Sequence, residues 1–596
     1  MTTDSVAVLT TGVDSFLPYV QESGELHDPV FDEPTQYGTA YHAYCQAVLA
    51  ETGPAAHRAD RLARAGRGLD AALAHTENPD LPPTGASFSR ADGSVRRSNH
   101  RDFTWPPILK TFRVLRDAGD GRTAEFAGRI AAVDLMRSFR SRPPSNWASV
   151  WLSGEWIRIR EGLSPYSVAD VDEWLAVFLA DLLRPETGFY FEPGKPNSYD
   201  LFTRLHVADL LVEGYDGRHR PALERLMATG LERSLAVQLS DGSLASAHRS
   251  AGQTWTLGAQ VAYFTHARAY FTERQDTERA DRAAEAATRA FVSMRRWQRP
   301  GATFSPVENV LPEGWRVGYE AYTADGHYAN LALAFLATAV RAGFTGTAPL
   351  PAERTPATRV EHDPTFRGVA SAGRYSVAVN ADPAPAYDGF GITDLTVGPD
   401  RHLQFASSVR HLESGRFLNL GTALRSGGVR GDLDVLAQRT FALDAPIEAI
   451  QAADAFDAVH LDGAESRAGA LAGLRVRGRS DADGGADAMP YRLEVTVHDD
   501  GVHVDEATPG VAGERTLLVP YLRDPGTGVH TQVERTPHGV RLVHGEEVLD
   551  VNVEVPVEAM VHLPYGFENR RGLCGLVRLD LTGVHDTVRF TVTVER

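Results

Sequence analysis

The stretch "GFYFEPGKPNSYDLFTRLH", beginning at Gly188, crowds Glu192, Tyr199, Asp200, Arg204 and His206 into one turn and one helix start. Tyr199 and His206 are two helical turns apart, so a helix carries a phenol and an imidazole on one face. That pair can act as acid and base on a bound ligand. The same residues also read as local stabilisation. Asn197 or Ser198 would cap the helix, Asp200 would complement its dipole, and Arg204 would pair with Asp200 at i,i+4.

Three further segments place reactive or ligand-holding groups near helix starts. "RPPSNWASVWLSGEWIRIREG" carries Asn146 at a helix start, then Trp147, Trp151 and Trp156 with Glu155 among them. Asn146 would face a cleft with a tryptophan stacked on a sugar; otherwise the segment is a cap followed by core aromatics. "DGSLASAHRSAGQTW" offers His248 and Arg249 in a Gly/Ser-rich loop, suited to holding a carboxylate. "ENVLPEGWRVGYEAYTADGHYANLALAF" gathers Trp315, Arg316, Tyr319, Glu320, Tyr322, His327 and Tyr328 before a last helix and reads as a ligand rim. "RSNHRDFTWPP", with His100, Arg101, Asp102 and Trp105, is a similar rim. No Walker loop, dinucleotide fingerprint, GxSxG elbow or HExxH motif stands at a credible place, so no nucleotide cofactor is expected. The histidines lack zinc-ligand spacing and no calcium loop is evident, so no metal ligands are assigned, and a structural metal in the acidic β domain stays open.

The elements that must position these groups fall into two halves. From about residue 37 to 343 the apolar residues recur at three- and four-residue spacing, giving about a dozen helices joined by short loops. Short connections of this kind predict antiparallel helical pairs. "GFTGTAPLPAERTPATRVEHDPTF" is rich in Pro, Thr and Gly and reads as a linker. Beyond it, segments such as "GRYSVAVNAD", "YRLEVTVHDDGVHVDEA" and "DTVRFTVTVER" alternate with period two, which predicts an antiparallel β-sandwich. The expected boundaries are 1–345 for the helical domain, 346–365 for the linker and 366–596 for the β domain.

The chain has 596 residues, 43% hydrophobic and 23% charged, with a net charge of −18. The acidity argues against a nucleic-acid binder. Lysine occurs only at Lys110 and Lys195, consistent with a codon bias toward arginine. Cys45 and Cys574 form no disulfide or metal pattern. No signal peptide or membrane-length apolar run is visible, which gives a cytoplasmic expectation.

In these residues and their order, the sequence resembles the α/α-toroid carbohydrate-active enzymes with a C-terminal β-sandwich, in particular the hyaluronate/chondroitin/xanthan lyase group. That resemblance implies elimination on a uronic-acid poly- or oligosaccharide. Asn146 and Arg249 would neutralise the C5 carboxylate, Tyr199 would be the acid or both acid and base, and His206 or His248 the base. The lyase group carries its base histidine before the tyrosine, where this chain has Gly194-Lys195-Pro196-Asn197. The sequence is also similar to toroid β-glucuronidase-like proteins, which would make Glu192 and Asp200, with Glu155, the carboxylates of a hydrolase. Either reading implies substrate contacts from Trp105, Trp147, Arg204, Trp315, Tyr322 and His327. A non-catalytic glycan-binding protein is the third reading.

Overall fold

A computed structural model describes residues 4–78, 85–88, 95–98, 101–245, 248–315, 323–351, 354–361, 366–384, 387–398, 408–425, 441–451, 472–480 and 489–595. The chain divides into two compact units. The first holds residues 1–235 and 252–350, and the second holds 236–251 and 351–596.

The helices run α1 (Ser5–Asp14), α2 (Gln36–Thr52), α3 (Arg58–Glu77), α4 (Trp105–Asp117), α5 (Thr123–Ala132), α6 (Leu135–Ser138) and α7 (Asn146–Arg160). They continue with α8 (Val168–Asp181), α9 (Asn197–Val212), α10 (Arg220–Val237), α11 (Thr254–Glu273), α12 (Thr277–Met294) and α13 (Asp325–Arg341). Among the described residues, α2, α4, α7, α9, α11 and α13 each pack on the next, and α13 packs back on α2. The helical unit is therefore an α/α toroid with six helices in its inner ring.

Inner and outer helices differ in composition as their positions demand. Helix α9 is buried from Asn197 to Leu211, and α11 from Thr254 to Ala267, so neither keeps a charged outer face. Such all-round burial marks a helix enclosed by neighbours. The outer helix α12 instead buries one stripe, Ala280, Ala283, Ala286, Ala287, Ala290 and Phe291, and turns Arg279, Arg282 and Glu285 away from it. Local caps fix where helices start. Ser145 accepts from the Trp147 amide ahead of α7, and Ser167 with Asp170 forms a capping box at α8.

In the second unit, described residues form antiparallel sheets of nine, six and four strands. One core joins them: Val377 and Leu395 from the four-stranded sheet, Leu474, Val495 and Val592 from the nine-stranded one, and Val519 and Val577 from the six-stranded one. The unit is a stacked-sheet sandwich. The expected linker is partly a strand, because Arg354–Glu361 pairs with Arg367–Gly373. Residues 236–251, expected in the helical domain, group with the sheets. Ser240 donates its amide to Ser376 Oγ (3.0 Å), and Asp241 pairs with the buried Arg571 (2.5 Å).

Where inner helices touch, glycine sets the approach. A Cβ on Gly258 of α11 would meet the Ala332 carbonyl of α13 at 2.5 Å. Gly128, exposed in α5, has nothing within 4 Å of that position. Gly258→Ala should destabilise the helical unit by about 1–3 kcal/mol. Gly128→Ala should stabilise it by about 0.5–1 kcal/mol through lost backbone entropy in the unfolded chain. Calorimetric midpoints of the two variants, shifted in opposite directions, check both.

Candidate active site

The inner helices run in parallel, and their contacts fix the register. Ser153 Oγ of α7 meets His206 Nδ1 of α9 at 3.3 Å, and further along Trp156 Nε1 donates to the Glu213 carbonyl at 3.1 Å. Asn146 lies seven residues before Ser153, and Tyr199 seven before His206. By the Ser153–His206 contact, Asn146 and Tyr199 stand at similar heights, about two turns above it, on adjacent helices. The same offset recurs between α2 and α4. Tyr44 lies 5.9 Å from the Lys110 ammonium, and seven residues earlier Tyr37 and Phe103 pack at 5.4 Å.

At this level the N-terminal ends of the inner helices bring aromatic rings together. Tyr37 stacks on His327 at 4.2 Å and meets Tyr328 edge-on at 6.0 Å. Phe103 packs against Trp147 at 5.6 Å and Phe202 at 5.5 Å, and Tyr199 against Trp255 at 5.5 Å. Asn146 is 5% exposed and Tyr199 8%. Among the described residues, the Asn146 carboxamide oxygen has no hydrogen-bond partner. Burial, with Tyr328, Tyr41 and Tyr199 nearby, holds the Tyr37 phenol well above its ordinary pKa. Parallel helix N-termini favour a negative charge at this end of the ring. The arrangement suits an anionic ligand with an apolar face.

His206 is elsewhere. It does share a face with Tyr199, but about 10.5 Å further along the axis, with the Phe202 ring in contact with both. There Asp209 accepts from Lys110 Nζ (3.0 Å) and pairs with His266 Nε2 (2.9 Å), with His206 Nδ1 at 4.0 Å. Tyr41, His206, Asp209 and Phe335 line a cavity of about 20 Å³, space for about one water. Burial pushes the His206 pKa down to about 3. Burial alone would raise Asp209, but Lys110 and His266 hold it well below the carboxylate range. A base at His206 and an acid at Tyr199 cannot serve neighbouring atoms of one sugar.

The carboxylates expected of a hydrolase are mostly committed to packing. Asp200 is fully buried, accepts from Arg204 through both oxygens (3.0 and 2.9 Å), and takes Arg233 Nη1 (2.5 Å) and the Tyr190 amide (2.8 Å). Arg204 also donates to the Gly230 carbonyl and Ser234 Oγ, so it anchors α10 rather than a substrate. Glu155 is fully buried and accepts from Trp105 Nε1 (2.9 Å) and Ser164 Oγ (2.5 Å), with Arg158 at 3.4 Å. Burial nevertheless raises its pKa, against the Arg158 charge. Trp105 has no exposed surface to offer a sugar. Glu192 is buried in the turn before α9, beside the Tyr190 phenol, which also donates to the Pro144 carbonyl (2.7 Å).

The remaining expectations divide by location. Trp147 is half-buried at the aromatic end of the ring, and His327 lies there too. Trp315 is 52% exposed. Tyr322, Arg316, Tyr319, Glu320 and His100 fall outside the described residues. Arg101 donates to the His75 and Asn78 carbonyls, and Asp102 accepts from the Ser141 amide, so both tie loops. His248 and Arg249 belong to the second unit, where the His248 amide donates to Asp388 (2.5 Å). Sequence reasoning missed Tyr37, Phe103, Phe202 and Trp255. Their signal was an aromatic at or near the first turn of a helix without a polar face.

No protein-family model and no curated protein matches the chain. Solved structures do resemble it. A chondroitin AC lyase of Streptomyces coelicolor A3, in complex with chondroitin sulphate, has 12% identity and a TM-score of 0.47, covering 99% of this chain and 79% of that one. Heparinase III has 13% identity and a TM-score of 0.38, covering 93% and 89%. An α-1,6-mannanase of Salegentibacter sp. HEL1_6 has 11% identity and a TM-score of 0.38, covering 57% of this chain and all of that one. No activity follows from likeness at this level.

Two outcomes separate packing groups from reacting ones. Asp200→Asn should cost about 3–5 kcal/mol of stability, because two buried guanidiniums lose their counter-charge; urea unfolding measures it. The buried His206 gives a pH dependence. Unfolded histidine titrates near 6.5, so between there and about 3 the unfolded chain binds the extra proton and stability falls as pH falls. The slope is on the order of 1 kcal/mol per pH unit, and His206→Leu should flatten it in denaturation series from pH 7 to pH 4.

Proposed function

We propose that this chain is a carbohydrate-active enzyme cleaving a uronic-acid-containing poly- or oligosaccharide by β-elimination. The observation that carries the reading is the level placement of Asn146 and Tyr199 at the N-terminal end of the parallel inner ring. Elimination requires a neutralised carboxylate, loss of the C5 proton and protonation of the leaving oxygen. The N–H donors of the Asn146 carboxamide and of the helix N-termini suit the uronate carboxylate. Charge withdrawn there acidifies C5. In this reading Tyr199 protonates the leaving oxygen, or carries the proton from C5 to that oxygen on one face of the sugar. His327, which lies at the same end of the ring in the first turn of α13, then takes the base role instead of His206. Trp147, half-buried, supplies a stacking surface.

Hydrolysis by paired carboxylates is the second reading. It is weakened by the burial and ion pairing of Asp200 and Glu155, which leave Glu192 as its remaining described candidate from that set.

The test is a panel of uronate polysaccharides read for both ultraviolet absorbance and reducing ends. Elimination creates a 4,5-unsaturated sugar that absorbs, whereas hydrolysis gives reducing ends alone. Tyr199→Phe should lower the elimination rate by about 10²–10⁴-fold with an unchanged thermal midpoint. A variant with near-normal turnover would sink the role of Tyr199, and reducing ends without absorbance would favour the hydrolase.

A further inference from the structure

The sandwich unit holds a cluster of imidazoles and a carboxylate at a hairpin end. The strands Met489–Val497 and Val502–Ala507 are joined by a tight turn, closed by the His498 amide on the Gly501 carbonyl at 2.9 Å. His503 lies opposite Thr496, and His498 follows two residues after Thr496. Side chains two apart on a strand share a face, so both imidazoles lie on the same side of the sheet. Their rings are 4.4 Å apart between centroids. Asp500 projects from the turn, and one donor atom from each of His498, Asp500 and His503 lies within 4.8 Å of the others. The turn is held in place from outside, since Tyr375 donates its phenol to the Asp500 carbonyl at 3.3 Å while accepting the Val594 amide at 3.0 Å.

We infer that His498, Asp500 and His503 form a binding site for a divalent transition ion of the zinc class. Two imidazoles and a carboxylate select such an ion over calcium or magnesium, which take oxygen ligands. Bonds of about 2.0–2.1 Å in a tetrahedron bring donors to roughly 3.4 Å from one another. Asp500 is exposed and His498 and His503 are half-buried, so rotation of the side chains closes that gap without moving the strands. The fourth position stays open to water or an external ligand, and the ion would clip the hairpin end of the nine-stranded sheet. Spacing alone assigns no ligands here, because H-x-D-x-x-H becomes a ligand set only when a two-strand turn folds it back.

Tag-free full-length chain, stripped with chelator, is titrated with zinc chloride by calorimetry. One ion per chain is expected, with affinity at least tenfold lower in His498→Ala and in His503→Gln, and with unchanged circular dichroism in each. Cobalt(II) should give visible ligand-field bands that both variants lose. Zinc binding of the same stoichiometry and affinity in a His498→Ala/His503→Gln double variant overturns the site, as does a wild-type chain that takes up no zinc. Neither result bears on turnover of a uronate polymer, which is read separately by ultraviolet absorbance.

Discussion

The register among the inner helices is held by a buried ion pair. Lys110 of α4 donates to Asp209 of α9, while His266 of α11 holds the other carboxylate oxygen and Tyr44 of α2 flanks the ammonium. Burying two charges is tolerable only when they meet in good geometry. Sliding one helix by a single residue would swing Asp209 about 100° around its axis and leave a charge unpaired in the ring. That penalty fixes the heights of the helices. Tyr199 of α9, Tyr37 of α2 and Phe103 just before α4 inherit their heights from it, and the Ser153–His206 contact brings α7 and Asn146 to the same end.

Much of the architecture was legible in the sequence because periodicity reports burial. The change from three- and four-residue spacing to alternation separated helices from strands, and short loops implied paired helices. The inner helices were legible for a further reason: α9 and α11 lack the charged face that α12 displays. The boundaries were less legible. "RTPATRVE" contains proline and threonine like a linker, yet it lies in a strand whose first pairs are interrupted by an irregularity between Arg354 and Ala357. No local pattern could place residues 236–251 with the sheets, because their partners, Ser376 and Arg571, come 136 and 330 residues later.

The site was legible in part, and its errors share one cause. A helix start with Asp, Arg and His has the same composition whether those groups meet a ligand or one another. Spacing predicted the Asp200–Arg204 pair, but Arg233 on the next helix, which makes Asp200 a fully compensated anion, lay outside any local window. The seven-residue step from Tyr199 to His206 indicated one face and omitted the axial distance along it. Asn146 shows the reverse case. Its role as a helix start was readable, while the unpartnered oxygen that draws attention to it appears only once the ring is closed.

The chain enters the sandwich unit twice, first with residues 236–251 and then from residue 351 to the end. A synthesising ribosome therefore releases a piece of the second unit before the last inner helix exists. That piece waits through about a hundred residues of unrelated chain, carrying Asp241 without the arginine that will neutralise it. The helical ring cannot be finished as a sealed module and then followed by the sheets, because its own connection between α10 and α11 is on loan to them. Truncation near residue 350 would not release two intact halves; it would strip the sandwich of residues 236–251, among them the Asp241 that pairs with Arg571. Maturation of the two units is thereby coupled through residues 236–251.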